Sequence, residues 1–132
     1  MRAPLVLVVD DEGPIREIVR RYLHADGIDV IEAADGVSAM ERFVAHRPDV
    51  VVLDVMLPGL DGWTVIERLK ADAATRHIPV HFVSALDESR RGRDLGAVGF
   101  LTKPVSAEQL SEALGLLTHY SADRPRRVLV VD

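Results

Sequence analysis

The sequence predicts a doubly wound α/β domain, in which a parallel sheet is covered by helices on both faces. Short β-branched runs alternate with longer segments of helical periodicity along the chain. Three of the runs are almost continuously apolar, as expected for strands that are buried on both faces: Leu5–Val9, Val50–Leu53 and Val80–Val83. With 132 residues, the chain has the length of one domain with a single core.

The other elements follow from shorter patterns. Two further strands are predicted at Asp29–Glu32 and Gly99–Leu101. A first helix is predicted from an apolar stripe at i, i+3, i+4, i+7 and i+8, formed by Ile15, Ile18, Val19, Tyr22 and Leu23. Pro14 suits the first position of this helix. Asp35 is expected to cap a second helix, whose buried side is predicted to carry Val37, Met40 and Val44.

Three helices complete the alternation. Asp61 is expected to cap the third helix, with Val65, Ile66 and Leu69 turned inward. The fourth, from Asp87 to Leu95, is short and polar, and its arginines at 90, 91 and 93 are interpreted as a solvated face. A capping box of Ser106 and Gln109 precedes the last helix, whose apolar residues are Leu110, Leu114 and Leu117.

Composition and charge exclude several classes of protein. With a net charge of −5, the chain lacks the strongly basic character that is typical of nucleic-acid-binding proteins, so no direct contact with nucleic acid is expected. Without cysteine there is neither a disulfide framework nor a thiolate metal site. The apolar runs are too short to span a bilayer, and Asp10 and Asp11 interrupt the first one too early for a signal peptide. We therefore expect a cytoplasmic location and no direct contact with a membrane.

The C-terminal segment carries an internal repeat. Residues 120–127 form a polar stretch, and residues 128–132 then repeat the sequence of residues 6–10. We expect residues 1–119 to be one domain and residues 120–132 to be a linker with the first strand of a second, similar domain. A frayed C-terminal tail is the alternative interpretation.

Polar residues occupy the carboxyl ends of the predicted strands, where open parallel sheets bind ligands. They are Asp10, Asp11 and Glu12 after the first strand, Asp54 after the third, Ser84 after the fourth, and Lys103 with Pro104 after the fifth. Clustered carboxylates repel one another unless a cation compensates, and oxygen-only ligands suit Mg²⁺. With a phosphoryl group neutralised by the metal and Lys103, Asp54 could act as the nucleophile, and Ser84 could donate a hydrogen bond to a phosphoryl oxygen.

This set of residues resembles the response regulator receiver family of two-component signalling, over residues 4–119. The segment Asp54–Gly62 is similar to the family's phosphoacceptor loop, and Gly96–Pro104 resembles its fifth-strand signature. The resemblance implies a flavodoxin-like fold with strand order 2-1-3-4-5. It also implies a phosphorylation-dependent switch rather than an enzyme, with a histidine kinase or a phosphotransfer protein as the source of the phosphoryl group. Adjoining domains of a longer chain, such as a hybrid histidine kinase, would be further partners, and a stand-alone regulator is the alternative.

The resemblance also implies roles for individual residues. Asp11 would bind Mg²⁺ directly and Asp10 through water, while phosphoacceptor Asp54 and the backbone carbonyl of Met56 would complete the protein ligands. Ser84 and Phe100 would be the switch pair, and the Lys103–Pro104 peptide bond would be cis.

Other functions fit the sequence less well. A phosphatase of the haloacid dehalogenase type needs a second Asp two residues beyond the nucleophile, where this chain has Met56. A nucleotide or flavin binder needs a Gly-rich loop after the first strand, where this chain has carboxylates. A degenerate receiver that is not phosphorylated is a further possibility. Because Met56 and Leu86 are apolar, neither can orient a hydrolytic water, and a long-lived acyl phosphate is expected.

Overall fold

The computed structural model of the chain describes residues 4–85 and 87–113. Its centre is a five-stranded sheet in the order β2-β1-β3-β4-β5, and all four pairings are parallel. The strands are β1 (Leu5–Val9), β2 (Asp29–Ala33), β3 (Val50–Leu53), β4 (Val80–Ser84) and β5 (Gly99–Thr102). The predicted fold class and strand order are confirmed, and each strand end lies within one residue of its predicted position.

Helices follow the first four strands, and the second and third begin at the predicted caps, Asp35 and Asp61. They are α1 (Gly13–Ala25), α2 (Gly36–His46), α3 (Gly62–Ala71) and α4 (Ser89–Asp94), and residues 107–113 are also helical. The Asp35 carboxylate accepts a hydrogen bond from the Ser38 N–H at 2.7 Å, and Asp61 accepts one from Thr64 at 2.9 Å. Each carboxylate thereby satisfies one unpaired N–H group of the helix that it caps.

The capping box before the last helical residues is present in both directions. The Ser106 hydroxyl accepts from the Gln109 N–H at 3.0 Å, and the Gln109 side-chain oxygen accepts from the Ser106 N–H at 3.1 Å. The helix that follows buries Leu110. Leu114 and Leu117, the repeat at 128–132 and Leu86 lie outside the described residues.

The sheet separates two apolar cores because side chains alternate between its faces. On one face Leu7 of β1 packs in a cluster with Phe43 of α2 and Leu69 of α3. On the other face Val8 packs in a cluster with Leu23 of α1 and with Leu110. Helices therefore cover both faces, as the apolar character of β1 and β3 predicted.

The predicted buried face of α2 is wrong at two of its three residues, while Met40 is partly buried and packs against the core. Val37 is 60% exposed and Val44 is 71% exposed, whereas Gly36, Ala39 and Phe43 are buried. The buried stripe has helical spacing but is offset by one residue from the larger apolar side chains. Glycine is required at position 36, since a Cβ atom there would lie 2.1 Å from the backbone oxygen of Leu60.

The first helix follows its predicted stripe except at one position. Val19 and Leu23 are buried and Ile15 and Tyr22 pack against them, but Ile18 is 42% exposed. Within the part of the chain that the structure describes, no helix combines the length and the apolar content needed to cross a membrane.

Candidate functional site

Three carboxylates meet in the turn between β1 and α1. Asp10 follows the last residue of β1 and is buried, and its N–H continues the sheet by donating to the Ala33 carbonyl at 3.1 Å. Its side chain accepts a hydrogen bond from the Glu12 N–H at 2.9 Å, which tightens the turn. Carboxylate oxygens of Asp10, Asp11 and Glu12 consequently lie within 4.8 Å of one another, with Asp11 and Glu12 exposed.

Asp54 lies beside this turn, at the end of the adjacent central strand. It is 4% exposed, its N–H donates to the Val9 carbonyl at 2.9 Å, and its side chain accepts from the Met56 N–H at 3.2 Å. The start of α3 approaches its backbone so closely that a Cβ atom at position 62 would lie 2.3 Å from the Asp54 carbonyl oxygen. Gly62 is therefore needed for the loop to fold back over Asp54.

Lys103 joins the two acidic parts of the site. Its Nζ atom is 2.8 Å from Asp10 Oδ2, 3.1 Å from Asp54 Oδ2 and 3.9 Å from Glu12 Oε1. The Lys103 N–H donates to the Ser84 carbonyl at 2.8 Å, so the loop after β5 is fixed to the end of β4. The Lys103–Pro104 peptide bond is cis, as the resemblance implies.

The pKa shifts in the site reflect burial first and then the contacts between its charged groups. Burial raises the pKa of Asp54, the Asp10 charge raises it further, and the hydrogen bond from Lys103 only partly offsets both. Burial acts to lower the pKa of Lys103, but its hydrogen bonds to Asp10 and Asp54 outweigh burial, and the pKa is raised. Lys103 therefore stays protonated, and a second cation would relieve the remaining repulsion among the carboxylates.

The donor set fits magnesium. All candidate side-chain ligands are carboxylate oxygens; none of the described residues lining the cavity is a histidine, and the chain has no cysteine. Hard oxygen ligands with room for water are what Mg²⁺ prefers. Asp10, Asp11 and Asp54 would hold the ion, and the role of the Met56 carbonyl stays a prediction. Sequence reasoning did not assign a role to Glu12, although it belongs to the same carboxylate cluster.

A cavity of about 690 Å³ opens over the carboxylates. Asp11, Asp54 and Lys103 line one side of it, while Met56 and Trp63 are among the apolar residues that line it. The Met56 side chain is 59% exposed. Exposed residues therefore border the cavity, although Asp54 itself is buried.

An aromatic row runs from this cavity to β5. The Trp63 ring centroid is 4.9 Å from that of Phe82, which is 5.8 Å from that of Phe100. Trp63 is 8% exposed, and the Arg91 guanidinium carbon lies 4.5 Å from its ring centroid. Arg91 is exposed, as expected for a solvated face, but it also makes a cation–π contact, which depends on the tertiary structure.

The two predicted switch residues, Ser84 and Phe100, lie at the end of β4 and within β5, outside the carboxylate cluster. Ser84 is fully buried at the end of β4, directly opposite Thr102 of β5. Phe100 is half-buried against α4, where a Cβ atom at position 92 would lie 2.9 Å from its ring. Gly92 therefore allows the ring to lie close to the helix backbone.

The fold and the site together define a class of protein: a doubly wound α/β domain with a carboxylate–lysine centre at the carboxyl edge of its sheet. Residues 6–115 match the family described as the response regulator receiver domain, and the chain belongs to that family.

Known relatives agree with this assignment. The chain is 40% identical over 118 residues to response regulator PleD of Caulobacter vibrioides, covering 87% of this chain and 26% of PleD. It is 42% identical over 108 residues to the phosphate regulon transcriptional regulatory protein PhoB of Escherichia coli, covering 80% of this chain and 47% of PhoB. The chain thus spans between a quarter and a half of the length of these relatives.

Solved receiver structures have the same fold. The Francisella response regulator 1452 receiver domain superposes with a TM-score of 0.82 at 32% identity, over 89% of this chain and 98% of that one. Chemotaxis response regulator CheY4 of Vibrio cholerae gives a TM-score of 0.81 at 29% identity, over 86% and 98%.

Proposed function

We propose that this receiver domain accepts a phosphoryl group on Asp54 from a phosphohistidine, with Mg²⁺, and that phosphorylation changes its partner-binding surface. The observation that supports this most strongly is the position of buried Asp54, 3.1 Å from Lys103 Nζ and beside the Asp10–Asp11–Glu12 cluster. A nucleophile, a cation and a metal-binding set of oxygens thereby lie at one edge of the sheet.

The transfer is a simple displacement. A carboxylate oxygen of Asp54 forms a bond to phosphorus, the P–N bond to the donor imidazole breaks, and that imidazole nitrogen keeps the electron pair and takes up a proton. Lys103 binds a phosphoryl oxygen through its ammonium group, which moves from Asp54 to the incoming charge. A bound Mg²⁺ supplies further positive charge for the phosphoryl oxygens.

Ser84 and Phe100 are proposed to carry the switch. The Ser84 hydroxyl would hydrogen-bond a phosphoryl oxygen on Asp54, and the Phe100 ring, which lies against Gly92, would change its packing. Phe100 has no hydroxyl group, so the change must be transmitted through packing alone. The surface altered in this way comprises α4 and β5.

The surroundings of Asp54 favour a long-lived acyl phosphate. Met56, two residues beyond Asp54, lines the same cavity and is apolar, so it can neither orient nor polarise an attacking water. Leu86, to which the same reasoning applied, lies outside the described residues.

The proposed partners are a histidine kinase or a phosphotransfer protein as donor, and the adjoining domains of a longer chain as receivers of the signal. No direct contact with nucleic acid or membrane is proposed, and the cytoplasmic location stays a prediction. The second candidate is a degenerate receiver that acts by protein contacts alone. It has no observation in its favour, because the chain carries all five expected site residues, Asp10, Asp11, Asp54, Ser84 and Lys103.

The test is phosphorylation by a small donor. Incubation with acetyl phosphate and Mg²⁺ is expected to add one phosphoryl group to the intact mass, and neither a sample without divalent cation nor Asp54→Asn should gain it. No gain in the wild type, under conditions that phosphorylate a control receiver, would favour the degenerate alternative and overturn the proposal.

A further inference from the structure

Arg16 connects the acidic turn to the neighbouring strand. Its Nη1 group donates to the backbone carbonyl of Asp10 at 2.7 Å, and its Nε group donates to the Glu32 carboxylate at 3.1 Å. The side chain is 21% exposed, so both contacts are partly shielded from water. One guanidinium thereby fastens the end of β1 to β2, with the fixed fork geometry that a lysine does not have.

Asp10 is the buried residue of the acidic turn and the one that Arg16 contacts. Its carboxylate lies among the candidate metal ligands and also pairs with Lys103, so its position determines the spacing of the cluster. Its N–H is held by the sheet and its carboxylate by the Glu12 N–H, while its carbonyl is held by Arg16. Removing Arg16 frees that carbonyl and lets the turn relax.

Arg16 also adds positive charge without blocking the ligands. It contacts the carbonyl oxygen of Asp10, whereas Lys103 contacts the carboxylate oxygens of Asp10 and Asp54. Lys103 therefore competes with an incoming cation for the same atoms. Arg16 does not compete, because its bond to Asp10 leaves both carboxylate oxygens available.

Glu32 orients Arg16 and provides an internal comparison. The Glu32 carboxylate pairs with Arg16 at 3.1 Å and with Arg20 at 3.4 Å. Arg20 lies one helical turn further along α1 and, among the described residues, has no hydrogen bond to Asp10. The two arginines thus share a charge and a partner, and they differ in the contact with the acidic turn.

We propose that Arg16, oriented by Glu32, is a positioning residue that holds the turn of residues 10–12 in the shape that binds a divalent cation. The inference rests on the proposed function for the use of that cation. Groups that orient metal ligands typically contribute a factor of 10 to 100 in metal affinity. We expect the lower end of this range, about tenfold, because Arg16 acts through the backbone.

The experiment measures binding of Mn²⁺, as a probe for Mg²⁺, from the electron paramagnetic resonance signal of the unbound ion. Wild type, Arg16→Ala, Arg16→Lys, Arg20→Ala and Glu32→Gln are titrated at low salt, and urea unfolding is followed without metal. Arg16→Ala is expected to weaken binding about tenfold, while Arg20→Ala stays within about twofold of the wild type. The Mn²⁺ affinity of Glu32→Gln should lie between those of Arg16→Ala and Arg20→Ala, and Arg16→Lys should bind Mn²⁺ more weakly than the wild type.

Each outcome bears on a different statement. Equal affinities of Arg16→Ala and the wild type would overturn the positioning role, even if Arg16→Ala unfolds more easily. Equal losses in Arg16→Ala and Arg20→Ala would also overturn it, since general charge would then be the cause. If Arg16→Ala does not fold, Arg16→Lys and Glu32→Gln carry the same comparison. Absence of Mn²⁺ binding by the wild type would contradict the metal chemistry of the proposed function itself, and the inference with it.

Discussion

His81 is predicted to make the stability of the domain depend on pH. It is the second residue of β4 and is 7% exposed, and neither ring nitrogen has a hydrogen-bond partner among the described residues. Its ring fills the space beside Gly99, where a Cβ atom would lie 2.5 Å from Nδ1. Burial lowers the pKa of His81 from 6.5 to about 4, because a charged imidazole cannot be solvated there.

The direction of the stability change with pH follows from which state of the chain binds a proton at His81. Between pH 6.5 and about 4 the unfolded chain binds a proton at His81 and the folded chain does not, so stability is lost as the pH falls through this window. At 1.36 kcal/mol per pKa unit the full loss is about 3 kcal/mol. About 2 kcal/mol of it is expected already at pH 5.

The assay is urea unfolding at pH 7.5 and pH 5 for the wild type, His81→Leu and His77→Leu. His81→Leu removes the titrating group at similar volume, and His77 is exposed and serves as the matched control. Between the two pH values, the wild type and His77→Leu should each lose about 2 kcal/mol more than His81→Leu. Equal losses in all three proteins would refute the assignment of His81 as a buried neutral group.

Three further predictions concern the site. Asp54→Asn should raise the free energy of unfolding at pH 7.5 in the absence of metal, because burial and then the Asp10 charge raise the pKa of Asp54. The gain in stability should shrink as the pH falls, since wild-type Asp54 is then protonated. Lower stability of Asp54→Asn at pH 7.5 would contradict it. Gly62→Ala should lower the free energy of unfolding by about 1–3 kcal/mol in urea, since its Cβ atom would lie 2.3 Å from the Asp54 carbonyl. Gly13→Ala is the control, with its nearest contact at 3.6 Å, and equal effects would count against the close approach. Met56→Glu should shorten the half-life of the acyl phosphate, measured by intact mass after removal of the donor, and an unchanged half-life would show that position 56 does not limit hydrolysis.

Strands and caps could be predicted from local sequence because each depends on a few adjacent residues. The apolar runs before Asp10 and Asp54 place both residues at the same edge of a parallel sheet, and the structure brings them to one lysine. The convergence of Asp10, Asp54 and Lys103 follows from strand ends alone.

Other features depend on tertiary packing that no local pattern reports. The prediction for α2 is wrong at Val37 and Val44 because Gly36 lies against the Leu60 backbone, a contact between distant segments that the apolar pattern of the helix does not indicate. The Arg91 contact with Trp63 joins α4 to α3 across the chain, and Arg16 reaches both Asp10 and Glu32 only once β1 and β2 are paired.

The most direct test of the central claim identifies the residue that carries the phosphoryl group. After incubation with acetyl phosphate and Mg²⁺, the acyl phosphate is reduced with borohydride, and the digested protein is mapped by mass spectrometry. Homoserine is expected at position 54, dependent on Mg²⁺, with Asp10 and Asp11 unmodified. Reduction at a different residue, or at none while a control receiver is labelled, would contradict it.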